Sequence, residues 1–599
     1  MLTRFFKARN WLLISLTAVL VLAQIWMDIR IPEYMEAITD SFLLEDTDTV
    51  IQNGWAMIGC ALVSLLLSVM AGFVLANMSA SVGKNIRTEL FDKVQSFSVA
   101  DIDRFSAASL ITRSTNDVTQ IQNFIARGLQ ATIKCPILAV WAISKIYGSS
   151  IEWTAVTVAG IAVLVVVMSI SLHYARKRFE KIQWLTDDVN RETREIIDGI
   201  RVIRAFNAEE HQEGKFAKAN DNLLENNLSA ARIMAPTMPI AQSMMNFVTI
   251  GIYWVGMSLI AAASLEETQL LLFSDMIVFT SYATMVLSAF MQVFGILRML
   301  PRTTVGIRRV EEVVDTVPGI RDGDKTEGPE TGTVEFRNVS FSYPDSSSKV
   351  LEGISFSVGK GETLAIIGTT GSGKTTLVNL IARFYDAAEG EVLVDGLDVK
   401  EYTLKSLRTR LGYGSQSAII VSGSVGMNVN YGYGSEGRTE EDVWRALRIA
   451  QADDFVSDLP DKEKSVISQH GKNLSGGQKQ RVSIARALCR SPEILILDDT
   501  FSALDYKTDF ELRSSLRREM EGVTKIIVAQ RVGTIMDADE ILVLDRGRIV
   551  GKGKHRDLLR SCPEYYELAA SQNAAEAVRW RKKPNAKAES SLPEGKRAE

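Results

Sequence analysis

Apolar positions along this chain follow two regimes. Up to about residue 305 they gather into long runs, and from about residue 333 they come in short blocks separated by polar turns. Six of the long runs reach the length that a bilayer crossing needs: residues 11–35, 55–80, 131–147, 153–173, 240–263 and 270–297. The third is the shortest and carries Lys134 and Lys145. A polar spacer with Pro318, Gly319, Gly323, Gly328, Pro329 and Gly332 then reads as a linker over 306–332. Beyond it, short strand-like segments alternate with helical ones, which predicts an α/β domain on a largely parallel sheet. The pattern therefore predicts a multi-domain membrane protein. An all-α six-helix transmembrane domain (1–305) with long cytoplasmic extensions precedes an α/β domain (333–572) and a disordered basic tail (573–599).

Composition agrees with that division. The 599 residues exceed what one core supports, and 46% hydrophobic content stands beside 23% charged residues, so one part must be very apolar and another ordinary. Cys60, Cys135, Cys489 and Cys562 share no metal-like spacing, which leaves neither a zinc site nor a disulfide framework. A net charge of −5 offers no nucleic-acid footprint. Arg4, Lys7 and Arg9 before the first apolar run resemble a secretory signal, but the run continues without a small-residue cleavage site. The stretches 36–48 and 266–275 are acid-rich, whereas 84–127 and 176–232 carry many lysines and arginines. By the positive-inside rule the basic loops and both termini are cytoplasmic.

Two stretches of those basic loops, 97–104 and 199–209, combine apolar anchors with charges. Each reads either as a place where one domain presses on another or as ordinary amphipathic helix surface. Lys134, Gln242, Asn246, Ser281, Tyr282 and Gln292 lie in or near the spans and should face other helices or a watery cavity rather than lipid. Met244, Met245, Met285 and Met291 suit either helix packing or an adaptable apolar cavity.

The α/β domain carries the chemistry. Gly368, Thr369, Thr370, Gly371, Ser372, Gly373, Lys374, Thr375 and Thr376 match the phosphate-cradling loop in full, directly after the apolar run 364–367. Glycines let backbone N–H groups converge on phosphates, the following helix adds its positive end, and Lys374 supplies a point charge. Thr375 offers a hydroxyl to Mg²⁺. Residues 494–499 form a second apolar run that ends in Asp498 and Asp499, as expected where a buried strand presents acids at its carboxyl end. Asp498 is the candidate metal residue, and Asp499 faces the γ-phosphate and the attacking water. A nucleotide triphosphate and Mg²⁺ are the implied ligands.

Between these motifs lie Leu474, Ser475, Gly476, Gly477 and Gln478, followed by a helical stretch to about Arg490. With that pentapeptide the chain resembles a half-size ATP-binding cassette transporter of the domain-swapped exporter type, from the first span to about Gln572. The resemblance makes the nucleotide ATP and implies roles for further residues. Tyr343 stacks on adenine, Gln416 links Mg²⁺ and the γ-phosphate to the membrane domain, and the segment from Ser502 to Asp505 touches a second cassette. The stretches 97–104 and 199–209 lie near the two coupling helices. Import is disfavoured by the fusion of membrane and cassette domains.

Two residues depart from the family pattern. A glutamate normally polarises the attacking water where this chain has Asp499, and a histidine normally contacts the γ-phosphate where it has Gln530. Aspartate is one methylene shorter, and glutamine cannot carry histidine's positive charge. Hydrolysis at this chain's own loop is thus expected to be weak, with ATP binding retained. Because 474–478 is intact, the chain can complete a site for an unlike partner half-transporter that has both residues, as in heterodimeric bacterial multidrug exporters. Substrate identity does not follow from the sequence, and amphipathic drugs or lipids drawn from the cytoplasm or inner leaflet are the expected class. A nucleotide-gated regulator or channel subunit and a homodimeric lipid or peptide exporter are the alternatives.

Overall fold

The computed structural model describes residues 2–572, apart from 44, 147–150, 264, 345 and 347. The basic tail and the end of the third apolar run at Tyr147 lie outside the described residues. Contact density divides the chain into two compact units, one comprising Met1–Gln95 and Ser106–Thr316, the other Ser96–Phe105 and Val317–Glu599.

The first unit contains six helices long and apolar enough to cross a membrane. They lie within α1 (Ala8–Leu43), α2 (Thr47–Gln95), α4 (Ala107–Ile146), α5 (Ile151–Asp198), α7 (Glu209–Ala262) and α8 (Glu266–Asp315), with the short α3 (Val99–Phe105) and α6 (Ile200–Ala205) between them. Apart from Tyr147 and Ala263 at their ends, the six expected runs fall inside these helices, which are much longer than the runs. The 48 residues of α5 extend about 72 Å at about 1.5 Å per residue, against a hydrocarbon core of about 30 Å. Helical periodicity simply continues past the apolar stretch, so the acid-rich segments expected as loops are largely helix ends.

Linker and domain edge also differ from the sequence expectation. α8 passes residue 305 unbroken, because Val310, Val313 and Val314 recur at helical spacing and are buried. Only from Thr316 does the chain become irregular. The stretch 97–104 groups with the cassette-side unit. There Asp101 accepts hydrogen bonds from the Gly319 N–H (3.0 Å) and from Ser98 N and Oγ (2.9 and 2.7 Å), and the rings of Phe97 and Phe105 stack at 5.7 Å.

The membrane core joins Val21, Ile25 and Ile29 of α1 to Leu138, Trp153, Leu164, Ile252, Phe279 and Val286. Met245, Met285 and Met291 pack against it. Polar side chains in the spans are mostly satisfied within the helix bundle. Lys134 pairs with Asp28 at 3.0 Å, and Ser64 also donates to Asp28. Tyr282 reaches Ile29 O (3.4 Å), while Ser281 and Gln292 bond carbonyls of their own helix. Gln242 and Asn246 are exposed on this chain.

In the second unit, β1 (Val334–Phe341), β2 (Leu351–Val358), β4 (Glu389–Val394) and β5 (Leu397–Asp398) form an antiparallel sheet in the order β2-β1-β4-β5. Strands β3 (Thr363–Gly368), β6 (Leu411–Gly414), β9 (Ile494–Asp498), β10 (Thr524–Val528), β11 (Glu540–Asp545) and β12 (Arg548–Gly553) form the central sheet in the order β12-β11-β3-β10-β9-β6. All its pairings are parallel except β11 with β12. A small ribbon joins β7 (Gly423–Ser424) and β8 (Val466–Ile467).

Continuous apolar runs in β3, β9 and β10 follow from burial of both sheet faces. Ala365, Ile367, Leu495, Leu497 and Ile527 point into a core shared with the helices, and Leu364, Ile366, Ile494, Ile496 and Ile526 into one shared with the antiparallel sheet. The central helices of the site are α9 (Lys374–Ile381), α10 (Gly476–Cys489) and α11 (Tyr506–Glu519). A last helix, α12 (Pro563–Ser571), buries Tyr565 and Ala569 in the helical core.

Candidate functional site

Strand order assembles the motifs. Neighbouring parallel strands β3, β10, β9 and β6 end at one edge of the sheet, and each is followed at once by a candidate residue: Gly368–Thr376 after β3, Gln530 after β10, Asp498 and Asp499 at the end of β9, and Gln416 after β6. Register confirms the alignment, since Val528 is opposite both Ile366 and Asp498. Two further backbone bonds extend the ladder, from Ala529 N to Ile366 O (3.1 Å) and from Asp499 N to Val528 O (3.0 Å).

In the loop, glycine is demanded by space and by conformation. A Cβ on Gly368 would lie 2.1 Å from Leu544 O on the paired strand β11. Gly373 has φ +99°, and a Cβ there would meet Leu351 Cδ2 at 2.7 Å. Lys374 Nζ donates to Gly368 O (2.9 Å) and Thr369 O (2.8 Å), so its ammonium is folded back over the loop. Burial lowers its pKa below the ordinary lysine value, while Asp499 and Asp498 pull the other way. Ser372 is buried, whereas Thr369, Thr370 and Gly371 are exposed at the loop surface. Such a glycine-lined cradle capped by a lysine and opening onto α9 suits a polyphosphate.

Thr375 Oγ1 donates to Asp498 Oδ1 at 3.2 Å, which sets a hydroxyl and a carboxylate side by side, the oxygen donors that a hard divalent cation prefers. Next to them, Asp499 takes a left-handed backbone (φ +49°), a conformation that aspartate tolerates better than most residues. Its Oδ2 accepts from Gln530 Nε2 at 2.6 Å, and Gln416 also hydrogen-bonds its carboxylate. Burial pushes both Asp498 and Asp499 above the usual carboxylate range. Asp499, Gln530 and Gln416 thus form one hydrogen-bonded cluster.

Tyr343 donates to or accepts from Thr376 Oγ1 at 2.9 Å, and its ring packs edge-on against Phe341 (5.0 Å) and Tyr385 (5.2 Å). An aromatic surface therefore borders the loop helix. No hydrogen bond or ion pair among the described residues joins 474–478 to 368–376. Instead Ser475 caps α10: its Oγ accepts from Gln478 N (3.2 Å) and Gln478 Oε1 accepts from Ser475 N (2.8 Å), a reciprocal capping box. Leu474 is buried, Gly476 is open, and a Cβ on Gly477 would approach Ala503 O at 3.3 Å. Asp505 caps α11 through Thr508 N (3.0 Å) and Thr508 Oγ1 (2.7 Å).

One contact had no signal in the sequence. Gln572, directly after α12, accepts from Val532 N (2.7 Å) and donates to Gln530 O (2.8 Å). No motif or period marks a glutamine 42 residues beyond its partner.

Comparisons with known proteins agree with this architecture. Residues 14–290 match the model of the ABC transporter transmembrane region, and residues 351–502 match that of the ABC transporter domain. An uncharacterised ABC transporter ATP-binding protein of Mycobacterium tuberculosis is 35% identical over 571 residues, covering 94% of this chain and 97% of the relative. An ATP-dependent lipid A-core flippase of Pseudomonas fluorescens is 31% identical over 503 residues, covering 84% and 82%. The solved structure of a bacterial Atm1-family ABC exporter with ATP bound superposes with a TM-score of 0.77 at 24% identity over 94% of this chain and 99% of that one, a likeness of fold. From the paired membrane and cassette units and these matches, the chain belongs to the ATP-binding cassette transporters, as a half-size exporter whose cassette is an ATPase coupled to transport.

Proposed function

We propose that this chain is one subunit of a heterodimeric exporter, binding ATP at a weakly hydrolysing site and lending 474–478 to the active site of an unlike partner. The observation that carries the reading is the bond from Gln530 Nε2 to Asp499 Oδ2 at 2.6 Å. At the position of the attacking-water base stands a short carboxylate, drawn toward a neutral amide at the switch position and further tied by Gln416. Neither residue supplies the reach or the charge that the family pattern provides. Binding rests on different atoms: Lys374, the cradle glycines 368, 371 and 373, and the Tyr343 ring.

Mg²⁺ would be held by Thr375 and Asp498, with Gln416 beside them. Among the described residues no group of three or more His, Cys, Asp or Glu side chains forms a metal cage, which suits a cation that arrives with nucleotide phosphates. When bound, it neutralises phosphate charge. ATP acts by binding the closed pair of cassettes better than the open pair, and Asp505 and the intact 474–478 face the partner in that closed state. A slowly cleared ATP at this chain's own site serves as a lasting clamp while the partner site resets the cycle.

The cargo is an amphipathic compound taken from the cytoplasm or the inner leaflet, and the loop charges support a cytoplasmic side for both termini and the cassette. A lipid-moving assembly of two copies of this chain is the second reading, favoured by the flippase name of several relatives. Native mass spectrometry of the tagged chain from its own membrane, in mild detergent, separates the two. One unlike partner of similar mass is expected. Recovery of only two identical copies would overturn the heterodimer.

A further inference from the structure

Gln572 is an exposed residue beyond the last turn of α12, a place where a glutamine side chain ordinarily moves freely in water. Here both ends of its amide are bonded to the backbone of one three-residue segment, Oε1 to Val532 N (2.7 Å) and Nε2 to Gln530 O (2.8 Å). A side-chain amide in this role imitates a neighbouring strand. It brackets Arg531 from two sides and fixes the peptide planes on which the Gln530 side chain depends.

Other contacts hold the same segment. Upstream, Ala529 N is bonded to Ile366 O (3.1 Å) in the sheet. Downstream, Thr534 N returns to Arg531 O (3.2 Å) in the short helix Val532–Ile535. Between these two anchors, the Gln530 carbonyl is fixed by Gln572, while the Gln530 side chain reaches Asp499 Oδ2. Gln572 in turn is set by α12, which starts at Pro563 and seats Tyr565 and Ala569, both 0% exposed, in the helical core. Beside the packing of Val532 and Ile535 in the same core, this amide therefore makes a second link from α12 toward Asp499.

We infer that Gln572 is a positioning residue for the switch glutamine, and that the docking of the C-terminal helix is thereby coupled to recognition of the γ-phosphate. The inference rests on the reading of Gln530 as the γ-phosphate contact given above. It concerns a residue outside every recognised nucleotide motif of the chain. Loss of the clamp leaves the cradle, Lys374 and Tyr343 untouched, so it alters discrimination between ATP and ADP rather than nucleotide affinity as such.

The test compares ATP and ADP affinities of the full-length chain in lipid nanodiscs, by displacement of a fluorescent ATP analogue, for wild type, Gln530→Ala, Gln572→Met, Gln572→Glu and the double variant Gln530→Ala/Gln572→Met. Methionine keeps the length of glutamine and removes both bonds. Glutamate keeps an acceptor for Val532 N–H and loses the donor to Gln530 O. Gln530→Ala and both Gln572 variants should each lower the preference for ATP over ADP about tenfold, the low end of what one hydrogen bond to a charged group is worth. ADP affinity should stay at the wild-type value, and the double variant should lose no more than Gln530→Ala alone. A merely structural role would lower both affinities together, and that result overturns the inference. A shift in Gln530→Ala with none in Gln572→Met overturns it as well. If Gln530→Ala itself shifts nothing, the γ-phosphate reading of Gln530 fails and the inference falls with it.

Discussion

If the site is weak as proposed, introducing the family's usual pair, Asp499→Glu with Gln530→His, should raise its turnover. Glutamate carries the carboxylate outward by one C–C bond, about 1.5 Å. Errors of about 1 Å in such a group can cost about 10²-fold in rate, so the double variant should gain turnover of that order, equivalent to about 2.7 kcal/mol of barrier. Neither single change should reach it. Glutamate alone still faces a neutral amide, and histidine alone would form an ion pair with Asp499 across the present 2.6 Å contact and remain there. The two changes are therefore coupled, with an interaction term rather than a sum. Glutamate at a backbone φ of +49° carries a folding cost of about 1 kcal/mol, which a domain of this size tolerates. Vanadate trapping of labelled ATP on the full-length chain reads turnover at this site, with Lys374→Ala as the control for loss of binding. Unchanged trapping in a double variant that still binds ATP at wild-type affinity would refute the geometric account of the weak site.

Three further outcomes are expected. Gly373→Ala should reduce the thermal shift produced by ATP, because its Cβ meets Leu351 Cδ2 at 2.7 Å in a left-handed conformation, a strain of about 1–2 kcal/mol; an ATP shift of normal size would contradict this. Lys134→Met should destabilise the chain in nanodiscs by about 3 kcal/mol by leaving Asp28 unpaired in the membrane, and adding Asp28→Asn should recover most of the loss; equal melting of single and double variants would show that the 3.0 Å pair is immaterial. For Asp101, burial raises the pKa, but hydrogen bonds from Gly319 N–H and Ser98 outweigh it and hold the carboxyl below its usual value. The bonded carboxylate thus adds stability that is fully present above the unfolded value near 3.8 and disappears as pH falls through the lower folded value. Asp101→Ala should be less stable than wild type at neutral pH and converge with it in acid, as read by thermal unfolding across pH; a constant gap down to low pH would refute the assignment.

Much of this molecule was legible in its sequence because the informative signals are local. The spans follow from the length of apolar runs, the central strands from short blocks buried on both faces, and the cradle from glycines that no other residue can replace at Gly368 and Gly373. Less legible were the ends of elements. α8 continues to Asp315 because Val310, Val313 and Val314 extend its buried stripe, a signal obscured by the surrounding charges. The polar side chains inside the spans could be named but not paired, since the partner of Lys134 is Asp28, more than a hundred residues earlier.

The sequence by itself determined which residues are proposed to carry the chemistry: a phosphate loop, two strand-end acids, the pentapeptide 474–478, and the two departures at Asp499 and Gln530. Only the tertiary structure decided which of them meet. Strand order β3-β10-β9-β6 places Lys374, Gln530, Asp499 and Gln416 at one sheet edge although they are scattered over more than 150 residues, and α12 returns to set Gln572 against the Gln530 backbone. The physical reason is that residue type and spacing act through the local backbone, whereas hydrogen bonds between distant segments exist only once burial of the sheet's two faces has fixed the order of its strands.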